Sequence, residues 1–484
     1  MSIAETPEYT QGMPSPQTTV VDTIGERDTG GIGGHPRGLT TLFFTEFWER
    51  FSFYGMRAFL LYYIIAAVND GGLGFAQERG TAIVGNYGLS VYALSIPGGL
   101  IADRLLGARL AVLLGGIMIA MGHFSLAFHS LPFFYCGLGL IAVGTGFLKP
   151  NVSTMVGGLY GQNDSRRDSG FSLFYMGINL GAFVGPLLAG YLAQGEGFKR
   201  LLASMGMNPN NSWHFGFAAA GVGMTLGLTQ YVVHRKRLAH VGLRPAKRKD
   251  SDAAPGSSSA GSDRKDSRLT ADDWKRVIVI GILFIFAWLF WTGYEQAPTS
   301  FSLFADRLTR NSILRFNFPP SWFQSVPAIF VIILAPVFSV LWLKMGKREP
   351  SSPAKFSYGL LFLGLSFLLL IPASILSASG RVSPLWLVGV YFLQTVGELC
   401  LSPVGLSTVT KLAHAKIVGL MMGLWFLALA LGDKMAGVLG GFFSATDTDV
   451  LVKLFGYFGV GALIAAAILA LMTPWVRKLM GGVH

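Results

Sequence analysis

The sequence predicts an all-α integral membrane protein whose helices form two bundles of six. Of its 484 residues 51% are apolar and only 13% are charged, whereas an average globular chain has about 25% charged residues. Apolar runs of about 20 residues or more, long enough to cross a bilayer as helices, recur along the chain. A polar stretch in the middle leaves six runs on each side. Transmembrane strands are not expected, because they alternate apolar and polar residues over about 10 residues.

Twelve apolar runs are the predicted spans. In chain order they are 40–66, 81–102, 109–129, 131–157, 171–194, 213–234, 273–299, 321–343, 356–377, 384–410, 416–443 and 454–474.

The runs and the polar segments between them define five regions of the chain. They are a polar tail (1–39), a six-helix bundle (40–234), a linker (235–272), a second six-helix bundle (273–475) and a short tail (476–484). The linker is rich in Lys, Arg, Asp, Ser and Gly and has no apolar run, which predicts a flexible connection.

The net charge of +12 is explained by membrane topology and does not imply binding to nucleic acid. With an even number of spans both termini share a side, and the tails and loops of that side hold 26 Lys and Arg residues, against eight in the opposite loops. The positive-inside rule then places both termini and the linker in the cytoplasm of a multi-pass protein of the inner, or plasma, membrane. Cys136 and Cys400 both lie inside apolar runs, so a disulfide framework is not expected.

The first run contains four ionisable side chains where hydrocarbon is expected, in the sequence Glu46-Phe-Trp-Glu49-Arg50-Phe-Ser-Phe-Tyr54-Gly-Met-Arg57. A charge near the bilayer centre costs about 2.5–3.5 kcal/mol on insertion scales, so such residues normally face a watery cavity. At 100° per residue, the charged groups and Tyr54 fall within about 140° of arc. The first helix is therefore predicted to present one functional face.

The other ionisable residues inside apolar runs are few: Lys149, Glu295, Glu398 and the adjacent pair Asp433 and Lys434. The cations Arg50, Arg57 and Lys149 belong to the N-terminal half and the two lone glutamates to the C-terminal half, a division that complements a zwitterion. Lys149 either faces this site or extends to the cytoplasmic surface. Asp433 and Lys434 are expected near the outer end of their span, within reach of lipid headgroups.

The same carboxylates suggest coupling to protons, because a buried glutamate that exchanges ion-pair partners between conformations loads or releases a proton. Glu49 beside Arg50, with Lys149, is the predicted pair on the inner side. Glu295 opposite Arg57 is the predicted pair on the outer side. No metal or redox cofactor is expected, and the chain lacks nucleophile, zinc and phosphate-loop signatures of enzymes.

Two short basic turns occupy equivalent places in the two halves, after the second span of each. Residues 99–109 contain Asp103 and Arg104, and residues 342–348 contain Lys344 and Arg348. Either the turns only fix the topology, or Asp103 and Arg104 form a latch that holds one conformation.

The halves, related by an axis along the membrane normal, resemble the major facilitator superfamily. The signature of the first run closely resembles that of its proton-coupled oligopeptide transporter branch, E-x-x-E-R-F-x-Y-Y-G-M-R. Further similar stretches are Phe-Leu-Lys149-Pro-Asn, Phe-Tyr-Met-Gly-Ile-Asn179-Leu-Gly, Phe-Trp291-x-x-x-Glu295-Gln and Gly-Glu398-Leu-Cys-Leu-Ser402-Pro. The resemblance runs from about residue 40 to residue 475.

The resemblance implies uptake of di- and tripeptides, driven by inward proton flow, at a site between the bundles. It assigns the peptide carboxylate to Arg57 and Lys149, and the amino end or backbone to Asn179 and Glu398. It assigns the side-chain pockets to Tyr54, Tyr92, Trp291 and Trp425, and Ser402 is grouped with these substrate-binding residues. Proton coupling is assigned to Glu46, Glu49, Arg50 and Glu295.

The chain departs from the family pattern at Phe53, where a tyrosine is usual, and at Pro327, which replaces an asparagine. It also lacks the second-span histidine of mammalian relatives and the two extra helices of many bacterial ones. The predicted partners are peptides, protons and membrane lipids, and the protein is expected to function as a monomer. The alternatives are a symporter for nitrate or another small anion and, from a different class, a membrane enzyme or receptor.

Overall fold

A computed structural model describes residues 28–161, 164–243, 270–314, 316–413 and 417–480. Most of the predicted N-terminal tail, the central part of the linker and the last four residues lie outside the described residues. The described chain is almost entirely helical, with one short hairpin between two helices of the second half.

The first bundle is built from α1 to α8. Their bounds are α1 Arg37–Ile65, α2 Gln77–Ala93, α3 Ser95–Ile101, α4 Ala108–Leu126, α5 Leu131–Gly157, α6 Arg167–Gln194, α7 Glu196–Ser204 and α8 Ser212–Val233. A π-helical turn, Ala102–Leu106, continues α3, so that α2, α3 and this turn form one span.

The second bundle is built from α9 to α15. Their bounds are α9 Ala271–Tyr294, α10 Ser302–Arg307, α11 Val326–Met345, α12 Ser352–Ser377, α13 Leu385–Leu412, α14 Val418–Gly440 and α15 Thr448–Leu479. A π-helical turn, Ala297–Phe301, leads from the end of α9 into α10. After α10, the antiparallel strands β1 Ser312–Ile313 and β2 Phe316–Asn317 form the hairpin.

The prediction of an all-α protein with twelve helical spans is confirmed. Eleven helical segments of the described chain are long and apolar enough to cross a membrane. The twelfth predicted span is α1, which has 29 residues and carries the charged signature in its middle. Most of α1 is buried against the other helices of the first bundle, in particular α6 and α8. Its charges are therefore covered by protein.

The two ends of the segment predicted as linker are structured in the described chain. Residues 235–243, predicted as linker, pack on the first bundle: Leu238 is buried, and the Gly242 carbonyl accepts a hydrogen bond of 3.0 Å from the Arg109 amide. At the other end of the linker, α9 begins at Ala271, where Thr270 and Asp273 form a capping box. Polar composition alone does not reveal that residues 235–243 dock on the bundle.

The two bundles meet along α2 against α14 and along α6 against α11. We call the ends of the bundles that hold residues 37 and 479 the terminal side, and the opposite ends the distal side. On the distal side α2 and α14 approach closely at two glycines: a Cβ atom on Gly85 would lie 2.8 Å from the Cα atom of Gly437. Real Cβ atoms do not approach so closely, so glycine is needed at this contact.

Hydrogen bonds between the bundles also join their distal halves. They run from Tyr62 to the Ser302 carbonyl, from Gln77 to the Phe443 carbonyl, from Arg307 to Gln77, from Trp322 to the Leu187 carbonyl, from Ser325 to the Phe183 carbonyl and from Lys434 to Asn86. The distal ends are therefore held together in this conformation.

Candidate functional site

A cavity of about 200 Å³ lies between the bundles, and both bundles line it. The first bundle contributes Tyr54, Arg57, Ala58, Tyr92, Asn179 and Ala182; the second contributes Trp291, Tyr294, Glu295, Ala297, Pro298, Gln324, Pro327, Ala328, Val331 and Glu398. Seven predicted site residues are thus brought together: Tyr54, Arg57, Tyr92, Asn179, Trp291, Glu295 and Glu398.

Arg57 bridges the bundles at the distal end of this cavity. Its Nη2 atom lies 2.7 Å from Oε2 of Glu295, the residue that follows α9, and 2.5 Å from Asp433 Oδ1 on α14. All three side chains are buried, with at most 9% of each exposed. The predicted pairing of Arg57 with Glu295 is therefore present, and a second carboxylate shares the same guanidinium group.

The expectation that Asp433 and Lys434 reach lipid headgroups is wrong for Asp433. The residue is 2% exposed and its carboxylate points to Arg57 rather than to lipid. Lys434, the next residue of the helix, donates a hydrogen bond to Asn86 on α2. The close approach of α14 to α2 turns Asp433 toward the interface between the bundles.

Lys149 lies inside the protein and not at the terminal surface. It is half-buried, and its Nζ atom lies 4.1 Å from the centre of the Tyr92 ring. The ring of Tyr92 lines the cavity, so Lys149 stands directly behind the cavity wall. A cation over an aromatic face is stabilised by the ring quadrupole. Pro150, inside α5, follows it as the sequence predicted.

Glu398 lies on the opposite wall, on α13. Its Oε2 atom accepts a hydrogen bond of 2.6 Å from the hydroxyl of Tyr294, which also lines the cavity. Asn179, on α6 in the first bundle, donates a hydrogen bond of 2.9 Å to the Tyr175 carbonyl.

Glu46, Glu49 and Arg50 form a separate buried cluster on α1. Arg50 is bidentate to Glu49: its Nη2 atom lies 2.6 Å from Glu49 Oε1, and its Nε atom bonds Glu49 Oε2. The same Nε atom lies 3.3 Å from Glu46 Oε1, one turn earlier. Each of the three side chains is at most 4% exposed. The predicted partnership of Glu49 and Arg50 is thus a close ion pair.

Phe53, which departs from the family signature, lies between the two arginines of α1. Its ring centre is 5.0 Å from the Arg50 Cζ atom and 5.8 Å from the Arg57 Cζ atom. The loss of a tyrosine hydroxyl therefore leaves the aromatic contact with both cations in place. Pro327, the other departure, lines the cavity beside Gln324, whose amide donates to the Ala297 carbonyl at 2.6 Å.

Besides Lys149 and the cluster on α1, four further predicted residues lie away from the cavity lining. Trp425 is buried within the second bundle, where it contacts Phe356 and the small residue Gly405. Ser402 is half-buried on α13, one turn beyond Glu398. The latch candidates Asp103 and Arg104 are both exposed, in the π-helical turn that follows α3. Their proposed roles remain predictions.

Three polar residues of the site escaped the sequence reasoning: Tyr294 and Gln324, which line the cavity, and Asp433, which pairs with Arg57. Asp433 carried the clearest signal, since an acid in an apolar run is costly unless it is paired. Tyr294 directly precedes Glu295, but nothing in the sequence relates it to Glu398 on another helix. Gln324 lies in a 3₁₀ turn, Pro320–Ser325, just before the eighth predicted span becomes helical.

The geometry defines a class of protein. Two six-helix bundles enclose a small polar cavity at their interface, with cations on the first bundle and acids on the second. Such an arrangement is that of a membrane transporter in which the bundles move about a shared site.

Comparison with known proteins identifies the family. The model of the POT family matches residues 109–250 and 261–458. The chain is 40% identical to the uncharacterized transporter YclF of Bacillus subtilis (94% of this chain and 96% of the relative covered). It is 39% identical to the peptide transporter YePEPT of Yersinia enterocolitica (92% and 96%) and 36% identical to the di-/tripeptide transporter of Lactococcus lactis subsp. cremoris (93% and 98%). The chain belongs to the POT family and is a transporter, not an enzyme.

Solved structures agree with this assignment. A crystal structure of a peptide transporter POT mutant in complex with alafosfalin has a TM-score of 0.84 and 39% identity, covering 97% of this chain and all of that one. A POT family transporter in complex with 5-aminolevulinic acid has a TM-score of 0.81 and 31% identity, covering 94% and 100%. The fold is therefore the major facilitator fold predicted from the sequence.

Proposed function

We propose that the protein is a proton-coupled symporter that imports di- and tripeptides by alternating access of its two bundles. The observation that carries this proposal is the charge division across the cavity. Arg57 and, behind Tyr92, Lys149 belong to the first bundle, whereas Glu295 and Glu398 belong to the second. A zwitterion held between them binds both bundles at once.

In this proposal the two ends of the peptide meet opposite walls. Arg57 and Lys149 attract the carboxylate, since a guanidinium group can bind a carboxylate with two hydrogen bonds. Glu398 and the amide oxygen of Asn179 accept hydrogen bonds from the ammonium end or the backbone. Tyr54 and Trp291 line the space between and contact side chains of the peptide.

Protons are the proposed coupling ion, and no cofactor is required. The side chains of Glu46, Glu49 and Arg50 on α1 are shielded from water. Because a buried carboxylate is ionised only while it is paired, a change in this ion pairing accompanies the gain or loss of a proton. Glu295 provides a second proton site, because its ion pair with Arg57 joins the two bundles and is broken and remade as the distal ends separate and close, so that its protonation changes with the conformation.

The excess of Lys and Arg on the terminal side supports a cytoplasmic location of both termini in the inner membrane. The distal ends are held together by hydrogen bonds, which favours a conformation that faces the cytoplasm.

On the terminal side a groove of about 800 Å³ is lined by Tyr175 of α6 and by Leu399 and Pro403 of α13. Leu399 adjoins Glu398, so we propose this groove as the path by which peptide leaves. The protein is proposed to work as a monomer among membrane lipids.

The similar proteins support a peptide over a simple anion. Two of the relatives are named as peptide transporters, and one POT structure contains 5-aminolevulinic acid, a compound with an amine and a carboxylate. Glu398 in the cavity favours a substrate with an ammonium group and repels nitrate.

The test uses purified protein in liposomes, with uptake of labelled dialanine measured under an inward proton gradient. We expect accumulation that an uncoupler abolishes. Nitrate accumulation without dialanine uptake would instead establish an anion symporter, and neither activity under any gradient would reject proton symport.

Arg57→Ala tests the binding role within the same assay. We expect loss of dialanine uptake, because the carboxylate loses its only bidentate partner in the cavity lining and the distal ion pairs are lost. Arg381→Ala, which removes an exposed distal arginine, is the matched control and should transport normally. Unchanged uptake by the Arg57 variant would remove this residue from the site.

A further inference from the structure

Asp433 is a buried carboxylate that the proposed mechanism does not yet use. Its Oδ1 atom and Glu295 Oε2 bind the same Nη2 atom of Arg57, at 2.5 and 2.7 Å, so the two oxygens are at most 5.2 Å apart. The Asp433 Oδ2 atom is buried and has no hydrogen-bond partner among the described residues, and neither has the Arg57 Nε atom. A buried acid with a free oxygen beside a second acid is a place where a proton binds.

The charges around Asp433 show why one proton is needed there. Arg57 supplies one positive charge for two carboxylates, so the three groups carry a net negative charge unless one acid is protonated. The other neighbours on the packed helices are Tyr87 and Tyr92 of α2 and, farther away, Lys149 of α5. Lys434, next in the chain, bonds Asn86 instead.

The helix packing makes room for Asp433 at this place. Its side chain lies flat against Gly88 of α2: a Cβ atom on Gly88 would be 2.6 Å from Asp433 Oδ1 and 2.5 Å from its Cγ atom. Any larger residue at position 88 would push the carboxylate away from Arg57. Position 88 thus permits the three-group cluster of Arg57, Glu295 and Asp433, which we call the distal triad.

We propose that Asp433 and Glu295 together hold one proton when the distal side is closed around Arg57, which makes Asp433 a second proton-binding residue of the transport cycle. When the distal side opens, α1 carries Arg57 away, and both acids meet water and ionise at neutral pH. Closing the distal side then takes up one proton from solution. This inference rests on the proposed function only in giving the proton a role in transport. Distal closure itself needs no peptide.

The prediction follows from proton linkage. If closure binds one proton, the ratio of closed to open molecules falls about tenfold for each unit rise in pH. In Asp433→Asn, Arg57 and Glu295 form a neutral pair that needs no proton, so the tenfold slope from this site is lost. Glu295→Gln leaves Arg57 with Asp433 and should have the same effect.

The experiment measures distal closure without peptide. Spin labels are placed on Val68→Cys and Thr446→Cys, exposed distal residues of the two bundles, with the exposed Cys136 replaced by alanine. Distance distributions are recorded from pH 5.5 to pH 8 in lipid nanodiscs. Asp306→Asn removes another partly buried distal acid, on α10 beside Arg307, and should keep the pH dependence of the parent.

The two outcomes are distinct. Loss of the tenfold slope in both Asp433→Asn and Glu295→Gln, with the slope of the parent kept in Asp306→Asn, supports the shared proton. A tenfold slope that persists in Asp433→Asn overturns it and leaves Asp433 as a structural partner of Arg57. Since the experiment contains no dialanine, failure of this inference is separate from failure of peptide transport. Gly88→Ala provides an independent variant that retains both acids and displaces the Asp433 carboxylate.

Discussion

Gly85→Ala tests whether the close contact of α2 and α14 is what holds the distal side shut. Alanine normally stabilises a helix relative to glycine, by up to about 1 kcal/mol, so a simple helix effect would strengthen the protein. At Gly85, however, the new Cβ atom would lie 2.8 Å from both the Gly437 Cα atom and the Asp433 carbonyl oxygen. Ordinary contacts need at least about 3.4 Å, so the two helices must separate.

The expected size of the effect follows from the cost of overpacking. Forcing an extra methyl group into a packed interface typically costs about 1–3 kcal/mol, which corresponds to about a 5- to 150-fold shift in an equilibrium. Only the closed conformation pays this cost if the contact is broken on opening. We therefore expect the closed-to-open ratio to fall by that factor, measured with the spin-label pair on residues 68 and 446.

Gly139→Ala is the matched control for this prediction. Gly139 lies on α5, another membrane-spanning helix, and a Cβ atom added there meets no atom within 4 Å. This variant should leave the distance distribution as it is in the parent. If Gly85→Ala also leaves it unchanged, the glycine contact does not control closure, and the argument from its geometry is wrong.

Three further predictions concern the site and the terminal side. Glu49→Gln should abolish accumulation of dialanine against a gradient while retaining counterflow exchange, and normal rates in both assays would exclude Glu49 from coupling. Tyr92→Leu removes the aromatic ring that contacts Lys149, a contact worth about 0.5–2 kcal/mol, and should raise the KM for dialanine about 2- to 30-fold. Tyr92→Phe keeps the ring and should change the KM little. Burial and, to a smaller extent, the positive charge of Arg166 lower the pKa of His35 below its usual 6.5. Docking of residues 28–36, which favours the neutral imidazole, should therefore be complete above pH 6.5 and weaken as the pH falls through the lowered pKa. Hydrogen exchange of that segment at pH 7.5 and pH 5 measures this, and His35→Gln should remove the dependence; an unchanged response would show that another group titrates.

The helices and the division of charge were predictable because they depend on composition along the chain. Apolar runs of bilayer length mark spans wherever they occur. The charged face of α1 follows from helical periodicity alone, and the pairing of Arg57 with Glu295 follows from opposite charges buried in opposite halves. These inferences need no distance between helices, which is why they agree with the structure.

What could not be predicted depends on how helices pack. Trp425 lies in a helix that is apolar around most of its circumference, so periodicity does not tell which face meets the cavity; the structure directs the ring into the second bundle. Asp433 was assigned to the headgroups by its distance from the end of its span. Its true direction depends on the glycine contacts between α2 and α14, and these join residues more than 300 positions apart.

The distal triad changes the charge that a peptide meets at Arg57. With Glu295 alone, Arg57 would form a neutral pair, and the peptide carboxylate would compete with one acid. With Asp433 also ionised, two carboxylates at most 5.2 Å apart would repel each other by about 3 kcal/mol at an effective dielectric constant of about 20. A peptide carboxylate arriving at the same guanidinium group would add a third negative charge and a similar repulsion from each acid. Protonation of the pair removes most of this barrier, so the proton taken up on distal closure favours carboxylate binding at Arg57. A second acid on α14 thereby ties peptide affinity to pH more strongly than the single predicted ion pair would.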